Sequence, residues 1–172
     1  MIRVAINGFG RIGRTTYKAI IDRKLDRELH VVAVNDLTDT ATLAHLLKYD
    51  TVYGRFAGTV THEADALIVN KKRIRVVAEK DPTKLPWKEL KVDLVLECTG
   101  RFTKDGAART HIDAGAKRVI VSAPTKGGDI KTFVRGVNDD SYKGEDVINN
   151  ASCTTNCVAP VAAVMQRAFK VE

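Results

Sequence analysis

Arg3-Val4-Ala5-Ile6-Asn7-Gly8-Phe9-Gly10-Arg11-Ile12-Gly13-Arg14 decides the fold. An apolar run passes directly into G-x-G-x-x-G. The residues after it, 11–24, carry Ile12, Tyr17, Ala19, Ile20 and Ile21 at spacings that suit a helix lying on a sheet. Each glycine answers a separate need. Gly8 permits a tight turn, Gly10 lets a pyrophosphate approach the backbone, and Gly13 lets the helix pack close to the strand. The helix start presents free N–H groups and a partial positive charge to that anion. Three glycines at this spacing also recur by chance, so context matters. Asp36 closes the next apolar run 23 residues after Gly13, where a carboxylate holds an adenosine ribose. Such a carboxylate repels a 2′-phosphate, which favours NAD over NADP. The plainer alternative is a strand–helix turn followed by a turn-forming Asn35-Asp36.

The pattern extends outward along the chain. Strands are expected at residues 3–7, 30–35, 93–98 and 117–122, each short and β-branched. Helices are expected at 11–24, 40–48 and around 103–114. This alternation is the signature of a parallel sheet with helical crossovers, an α/β class. Residues 57–77 differ: Thr59-Val60-Thr61, Leu67-Ile68-Val69 and Ile74-Arg75-Val76 read as antiparallel strands inserted into the plan. Residues 133–137 and 147–149 read as final strands. Residues 152–170 read as a last helix with Val158, Val161, Ala162, Met165 and Phe169 as a packing stripe, and with Pro160 kinking it or marking its first turn. The expectation is a doubly wound, mostly parallel Rossmann-type sheet, with a dinucleotide-binding domain at 1–150 and the start of a second domain at 151–172.

Composition bounds the rest. The chain has 172 residues, 28 Lys or Arg against 21 Asp or Glu, and 44% apolar residues. That suits one domain and a little more, and excludes a disordered chain. No apolar run reaches membrane-spanning length. The N-terminus reads as a strand and not as a secretory signal. Three Cys make no disulfide scaffold, and a cytoplasmic location is expected. No metal-ligand cluster stands out. The net charge of +7 raises nucleic acid as a partner, but the basic residues are scattered and no stacking-aromatic motif accompanies them.

The second informative stretch is Asn149-Asn150-Ala151-Ser152-Cys153-Thr154-Thr155-Asn156-Cys157. Polar turn residues run straight into an amphipathic segment, so Cys153 falls in a helix's first turn. N–H groups and the helix dipole there stabilise a thiolate and an oxyanion formed after attack on a carbonyl. A small Cys packed beside a Ser/Thr cap is the alternative. Cys157 shares its face one turn on and reads as packing or as a partner in oxidative damage. Cys98 ends an apolar strand and reads as buried and inert.

Taken together, these stretches resemble glyceraldehyde-3-phosphate dehydrogenase. Ile6-Asn7-Gly8-Phe9-Gly10-Arg11-Ile12-Gly13-Arg14 is similar to that family's first strand and loop. Asn35-Asp36-Leu37, Ala44-His45-Leu46-Leu47-Lys48-Tyr49-Asp50, Thr99-Gly100-Arg101-Phe102, Ser122-Ala123-Pro124 and Gly136-Val137-Asn138 follow in the family's order, and Ala151-Ser152-Cys153-Thr154-Thr155-Asn156-Cys157 resembles its catalytic signature. Cys98 stands where many relatives have Ser or Ala, and Arg135 where Met is more usual.

The resemblance implies NAD as cofactor and Cys153 as catalytic nucleophile. It implies cofactor contacts at Asn7, Gly8, Phe9, Gly10, Arg11 and Ile12, with Ile12 also packing on nicotinamide. Asp36 would hold the adenosine ribose. Thr99, Gly100 and Phe102 would line the adenine side, with a core position as the alternative for Phe102, and Ser122 would lie near the nicotinamide ribose. Lys80 would contact cofactor through its loop, or be a solvated surface lysine. Ser152 and Thr154 would flank Cys153 and bind substrate or phosphate oxygens, or cap the helix, or both. Phosphorylated aldehyde and inorganic phosphate are the implied partners, with a homotetramer for the intact family.

In that family's chemistry the thiolate attacks an aldehyde, hydride passes to NAD, and phosphate cleaves the resulting thioester to an acyl phosphate. The step needs a base, a His that takes the thiol proton. The chain continues for only 19 residues after Cys153, and His30, His45, His62 and His111 do not match the position of that base. His30, His62 and His111 read as ordinary strand or surface residues. The family's catalytic domain is therefore expected to be missing after its first helix, leaving NAD binding without turnover. Erythrose-4-phosphate dehydrogenase shares these motifs and is an alternative. A basic nucleic-acid-binding module and an assembly role through an uncovered apolar face are others.

Overall fold

The computed structural model describes residues 1–170. Nine strands form one sheet, seven of them parallel, and six of these make its body. In chain order these are β1 (Ile2–Asn7), β2 (Leu29–Asn35), β5 (Lys72–Val77), β6 (Leu94–Glu97), β7 (Arg118–Val121) and β9 (Val147–Asn149). Strands β3 (Val60–Glu63) and β4 (Ala66–Val69) extend one edge, and β8 (Lys131–Thr132) closes the other. The spatial order is β3-β4-β5-β2-β1-β6-β7-β9-β8. Chain direction across the sheet reverses its order at β1, where β2 lies on one side and β6 on the other. This is the doubly wound plan, and it opens a crevice at the strands' carboxyl ends.

Two apolar clusters flank the sheet. In β1, Val4 and Ile6 face one way, into a cluster with Tyr17, Ile20, Leu43 and Leu47. Those residues come from helix α1 (Arg11–Asp22) and helix α2 (Thr40–Lys48). Ala5 faces the other way, into a cluster with Leu85, Trp87, Val95, Ala108 and Val119. Strands buried on both faces need continuous apolar runs, which is why residues 3–7 and 30–35 are legible as they are. Asp39 caps α2, its carboxylate accepting from Thr42 N–H at 2.9 Å.

Several elements depart from the expectation. The inserted segment is antiparallel only in part: β3 pairs β4 and β4 pairs β5 antiparallel, but β5 pairs β2 in parallel and so belongs to the main sheet. The helix expected at 103–114 shrinks to a 3-10 turn at Ala107–Arg109 and a short α3 (Thr110–Asp113). The reason lies in the preceding backbone, because Asp105 N–H donates to Lys126 O and Lys126 N–H donates to Thr103 O. Gly106 then turns at φ 75°. The strand expected at 133–137 lies earlier, at β8. Residues 134–138 form a turn in which Gly136 sits at φ 76° and Val134 N–H donates to Asn138 Oδ1 at 2.8 Å. His111 was expected in a strand or surface context and is instead wholly buried in α3.

The last helix, α4 (Cys153–Phe169), forms with Pro160 inside it. Its apolar residues do not pack. Val158, Val161, Met165 and Phe169 are exposed, and no residue of α4 is buried. The far half of one sheet face is open as well: Leu94, Ile120 and Ile148 line a groove of about 880 Å³. No helix among the described residues is long and apolar enough to cross a membrane.

These burials set opposite expectations for two substitutions. Leu47→Ala, at a wholly buried site, should cost about 2–5 kcal/mol in urea unfolding. Val161→Asp, on the bare face of α4, should change stability by no more than about 0.5 kcal/mol. A loss for Val161→Asp as large as that for Leu47→Ala would show that the α4 face is covered in solution.

Candidate functional site

Parallel pairing brings six strand ends to one edge. Gly8 follows β1, Asp36 follows β2, Thr99 follows β6, Ser122 follows β7 and Ser152 follows β9. Loop residues Glu79 and Lys80 follow β5. A cleft of about 550 Å³ opens here. Of the expected residues, Asn7, Gly8, Gly10, Asp36, Lys80, Thr99 and Phe102 line it.

The glycine loop is packed tightly in two places and open in one. Gly8 has φ +87°, and a Cβ there would come within 2.8 Å of Thr99 N. A Cβ on Gly13 would lie 2.2 Å from Gly8 O, so the helix touches the loop backbone to backbone. A Cβ on Gly10 would meet nothing within 4 Å, because Gly10 faces the open cleft. Gly10 is also the N-cap of α1 and supplies no side-chain cap. The first-turn N–H groups of α1 therefore meet no capping side chain, the condition that suits an anion.

Asp36 is held over this loop. Its carboxylate accepts from Phe9 N–H at 2.8 Å and from Thr38 N–H at 3.0 Å. Phe9 contributes only backbone, since its ring is wholly buried in the core. Arg11 and Ile12 project outward and exposed at the start of α1. Arg14 reaches back, donating from Nη1 to Phe9 O at 3.0 Å. Desolvation lowers its guanidinium from the ordinary range, and Asp50 and Asp36 oppose that. Lys80 is exposed on a loop clipped to the sheet by Asn35, whose Nδ2 donates to Glu79 O at 2.8 Å. Phe102 does two things at once: it lines the cleft and packs edge-on against His111 at 5.8 Å. Gly100 and Ser122 lie beyond the cleft lining, at the ends of β6 and β7.

Cys153 occupies the first position of α4 and is exposed. Ser152 is the N-cap, its hydroxyl accepting from Thr155 N–H at 3.0 Å. Thr154 is exposed beside Cys153. Asn156 braces the turn by donating to Asn150 O at 2.6 Å and Ser152 O at 2.9 Å. The three cysteines are all free. Cys98 lines the cleft, and burial pushes its thiol up to about 11, so it is a thiol and not a thiolate at neutral pH.

No histidine among the described residues is placed to serve Cys153 as base. His62 is on the opposite edge strand β3, and His45 is on α2. His30 is near the amino end of β2, away from the carboxyl edge. Both ring nitrogens of His111 are engaged, by Trp87 and Glu97.

Sequence reading missed Asn35, Glu79, Glu97 and Arg101 at or beneath the cleft. For Glu97 the signal was present: an acid at the end of an otherwise apolar strand is not placed there by sheet propensity. The positive charge is dispersed, with Lys72, Arg73, Arg75, Lys117 and Lys131 each paired to a carboxylate.

Residues 2–105 match the family model described as glyceraldehyde 3-phosphate dehydrogenase, NAD binding domain. The chain is similar to glyceraldehyde-3-phosphate dehydrogenase of Kitasatospora aureofaciens, with 55% identity over 100% of this chain and 52% of the relative. It is also similar to that of Thermotoga maritima, with 55% identity over 99% of this chain and 51% of the relative. A cytosolic glyceraldehyde-3-phosphate dehydrogenase of Trypanosoma brucei brucei is 50% identical over 99% of this chain and 50% of the relative. The chain thus spans about half the length of the curated relatives it matches.

The loop geometry separates two alanine substitutions. Gly13→Ala should unfold or strongly destabilise the chain, because backbone blocks the new methyl. Gly10→Ala should leave the melting temperature unchanged within about 2 °C and weaken nucleotide binding at least about tenfold. Thermal melts and calorimetry on both variants check this. Equal stability loss in the two would contradict the geometry.

Proposed function

The chain belongs to the glyceraldehyde 3-phosphate dehydrogenase family through its NAD-binding domain, and we propose that it binds NAD in the cleft at the carboxyl ends of β1, β2 and β6. The observation that carries this reading is the pairing of a loop open only at Gly10 with Asp36 fixed above it. In this reading the pyrophosphate rests on the N–H groups of Arg11 and Ile12. Asp36 takes the adenosine ribose hydroxyls and disfavours a 2′-phosphate. Lys80, Thr99, Gly100 and Phe102 border the adenine, and Ser122 lies toward the nicotinamide ribose, with Ile12 against the nicotinamide ring. NAD, when bound, supplies a hydride acceptor. Residues 1–150 form the nucleotide-binding domain, and residues 151–172 open a second unit, a division supported by the exposure of α4.

Within the whole enzyme's reaction, Cys153 is the nucleophile. Its sulfur adds to the aldehyde carbon of a small phosphorylated substrate. The first-turn N–H groups of α4 and the Thr154 hydroxyl face the negative charge that develops on the aldehyde oxygen. Ser152 positions the turn by capping it. Departure of a hydride from that adduct leaves a thioester on Cys153, and inorganic phosphate, the second substrate, then takes the acyl group as an acyl phosphate while the sulfur leaves as thiolate. Erythrose 4-phosphate is the alternative aldehyde. A cytoplasmic location is supported by the three free cysteines and by the cytosolic relative.

Two outcomes are expected of the 172-residue chain. First, NAD and ADP-ribose should bind within about threefold of each other, since the cleft lining lies on the adenosine side; Asp36→Ala should weaken both at least about tenfold and narrow the preference over NADP. Calorimetry with the three nucleotides measures this, and a strong dependence on the nicotinamide would refute it. Second, no steady-state NADH should form with glyceraldehyde 3-phosphate and phosphate, because no histidine among the described residues stands beside Cys153 as a base. Absorbance at the NADH band tests this, and turnover near that of the relatives would overturn it.

A further inference from the structure

Beneath the cleft, side chains at the ends of β6, β1 and β2 form one continuous hydrogen-bonded row. Glu97 anchors it and is wholly buried. It accepts from four donors: Thr99 N–H at 2.8 Å, the Thr99 hydroxyl, Asn7 Nδ2, and His111 Nε2 at 2.9 Å. His111 donates from Nε2 because its Nδ1 accepts from Trp87 Nε1 at 3.1 Å, and an indole nitrogen can only donate. A carboxylate only accepts, at about four lone-pair sites, so every neighbour of Glu97 must bring a hydrogen.

That requirement propagates. Asn7 turns Nδ2 to Glu97, which leaves Oδ1 facing Asn35. Asn35 must then present Nδ2, which donates to Asn7 Oδ1 at 2.7 Å and to Glu79 O at 2.8 Å. Its own Oδ1 accepts Glu79 N–H at 2.9 Å. Each link has one allowed direction, and the row ends on the backbone of the loop that carries Lys80.

We propose that Glu97 is a positioning residue for the nucleotide site: it sets the hydrogen-bond polarity of the Glu97, Asn7 and Asn35 row. Through that row it fixes two walls of the cleft, the Thr99 turn beside it and the Glu79 loop three strands away. The ligand effect rests on the nucleotide-binding reading; the polarity of the row does not.

The isosteric substitution Glu97→Gln tests this, because it keeps volume and reverses one group. Whichever way the new amide turns, its NH2 meets a donor, either Asn7 Nδ2 and His111 Nε2 or Thr99 N–H. Expected are at least tenfold weaker ADP-ribose binding by calorimetry and at least tenfold faster hydrogen exchange at the Glu79 amide by NMR. Adding Asn7→Asp should return the Glu79 exchange rate to within threefold of the parent chain; Asn7 lines the cleft, so the rescue is read at the Glu79 amide. The new amide then donates to the new carboxylate, which still accepts from Asn35 Nδ2. His111 Nε2 is 3.4 Å from the side-chain nitrogen of Asn7 and can redirect its hydrogen to that carboxylate.

Packing alone would not give such rescue, since Asn7→Asp adds no volume. A folded Glu97→Gln variant within twofold of the parent on both readouts would overturn the proposal, as would a double variant whose Glu79 exchange is no slower than that of the single one. If Glu97→Gln does not fold, recovery of folding in the double variant supports the proposal and continued unfolding overturns it. A parent chain that binds no ADP-ribose would refute the nucleotide reading, and the Glu79 exchange rate would still decide the polarity of the row.

Discussion

Parallel pairing is the constraint on which this molecule rests. Strands β5, β2, β1, β6, β7 and β9 run the same way, so their carboxyl ends must emerge along one edge. Every residue with chemistry in it sits at or just past such an end. The crossover segments return on both faces, which buries β1 from Val4 and β2 from Val31 onward and leaves the edge as the place where polar groups can gather. The contact that seals this arrangement is Gly13 against Gly8 O. It brings α1 close enough to β1 for its uncapped N-terminus to overhang the cleft.

An edge of this kind creates a polar problem at the boundary of an apolar core. Asn7, Asn35, Glu97 and Asn149 are all buried at strand ends. Each is hydrogen-bonded within the sheet's own loops, as a buried polar group must be to avoid a desolvation cost. The solution is also a positioning device, because amides and a carboxylate have directional donors and acceptors. Buried polarity thus connects the core under the cleft to loops that a purely apolar core would leave free.

The chain's other end follows different physics. Asn149 binds Ala151 N–H through its Oδ1 at 3.0 Å, and Ser152 caps α4. The helix is therefore well defined at its start, where Cys153 sits, without resting on the sheet. Local capping and backbone hydrogen bonds shape that turn. Its apolar face and the open groove along Leu94, Ile120 and Ile148 remain uncovered among the described residues.

Much of this was legible in the residues. The apolar runs of β1 and β2, the glycine spacing and the Asp36 position needed only local stereochemistry, and so did the placement of Cys153 in a first helical turn. Elements decided by pairing were not legible. Residues 103–105 read as helix because their composition permits it, but their backbone bonds to Lys126. Residues 133–137 read as strand, but Asn138 folds its side chain over Val134. His111 looked ordinary because sequence carries no sign that Trp87 and Glu97 would meet it. Sequence by itself determined the fold class, the glycine loop and the place of Cys153 in a first helical turn, because period, glycine stereochemistry and capping act over a few residues. Only the tertiary structure decided the polar row beneath the cleft and the bare face of α4, because hydrogen-bond direction and burial depend on partners up to about a hundred positions away.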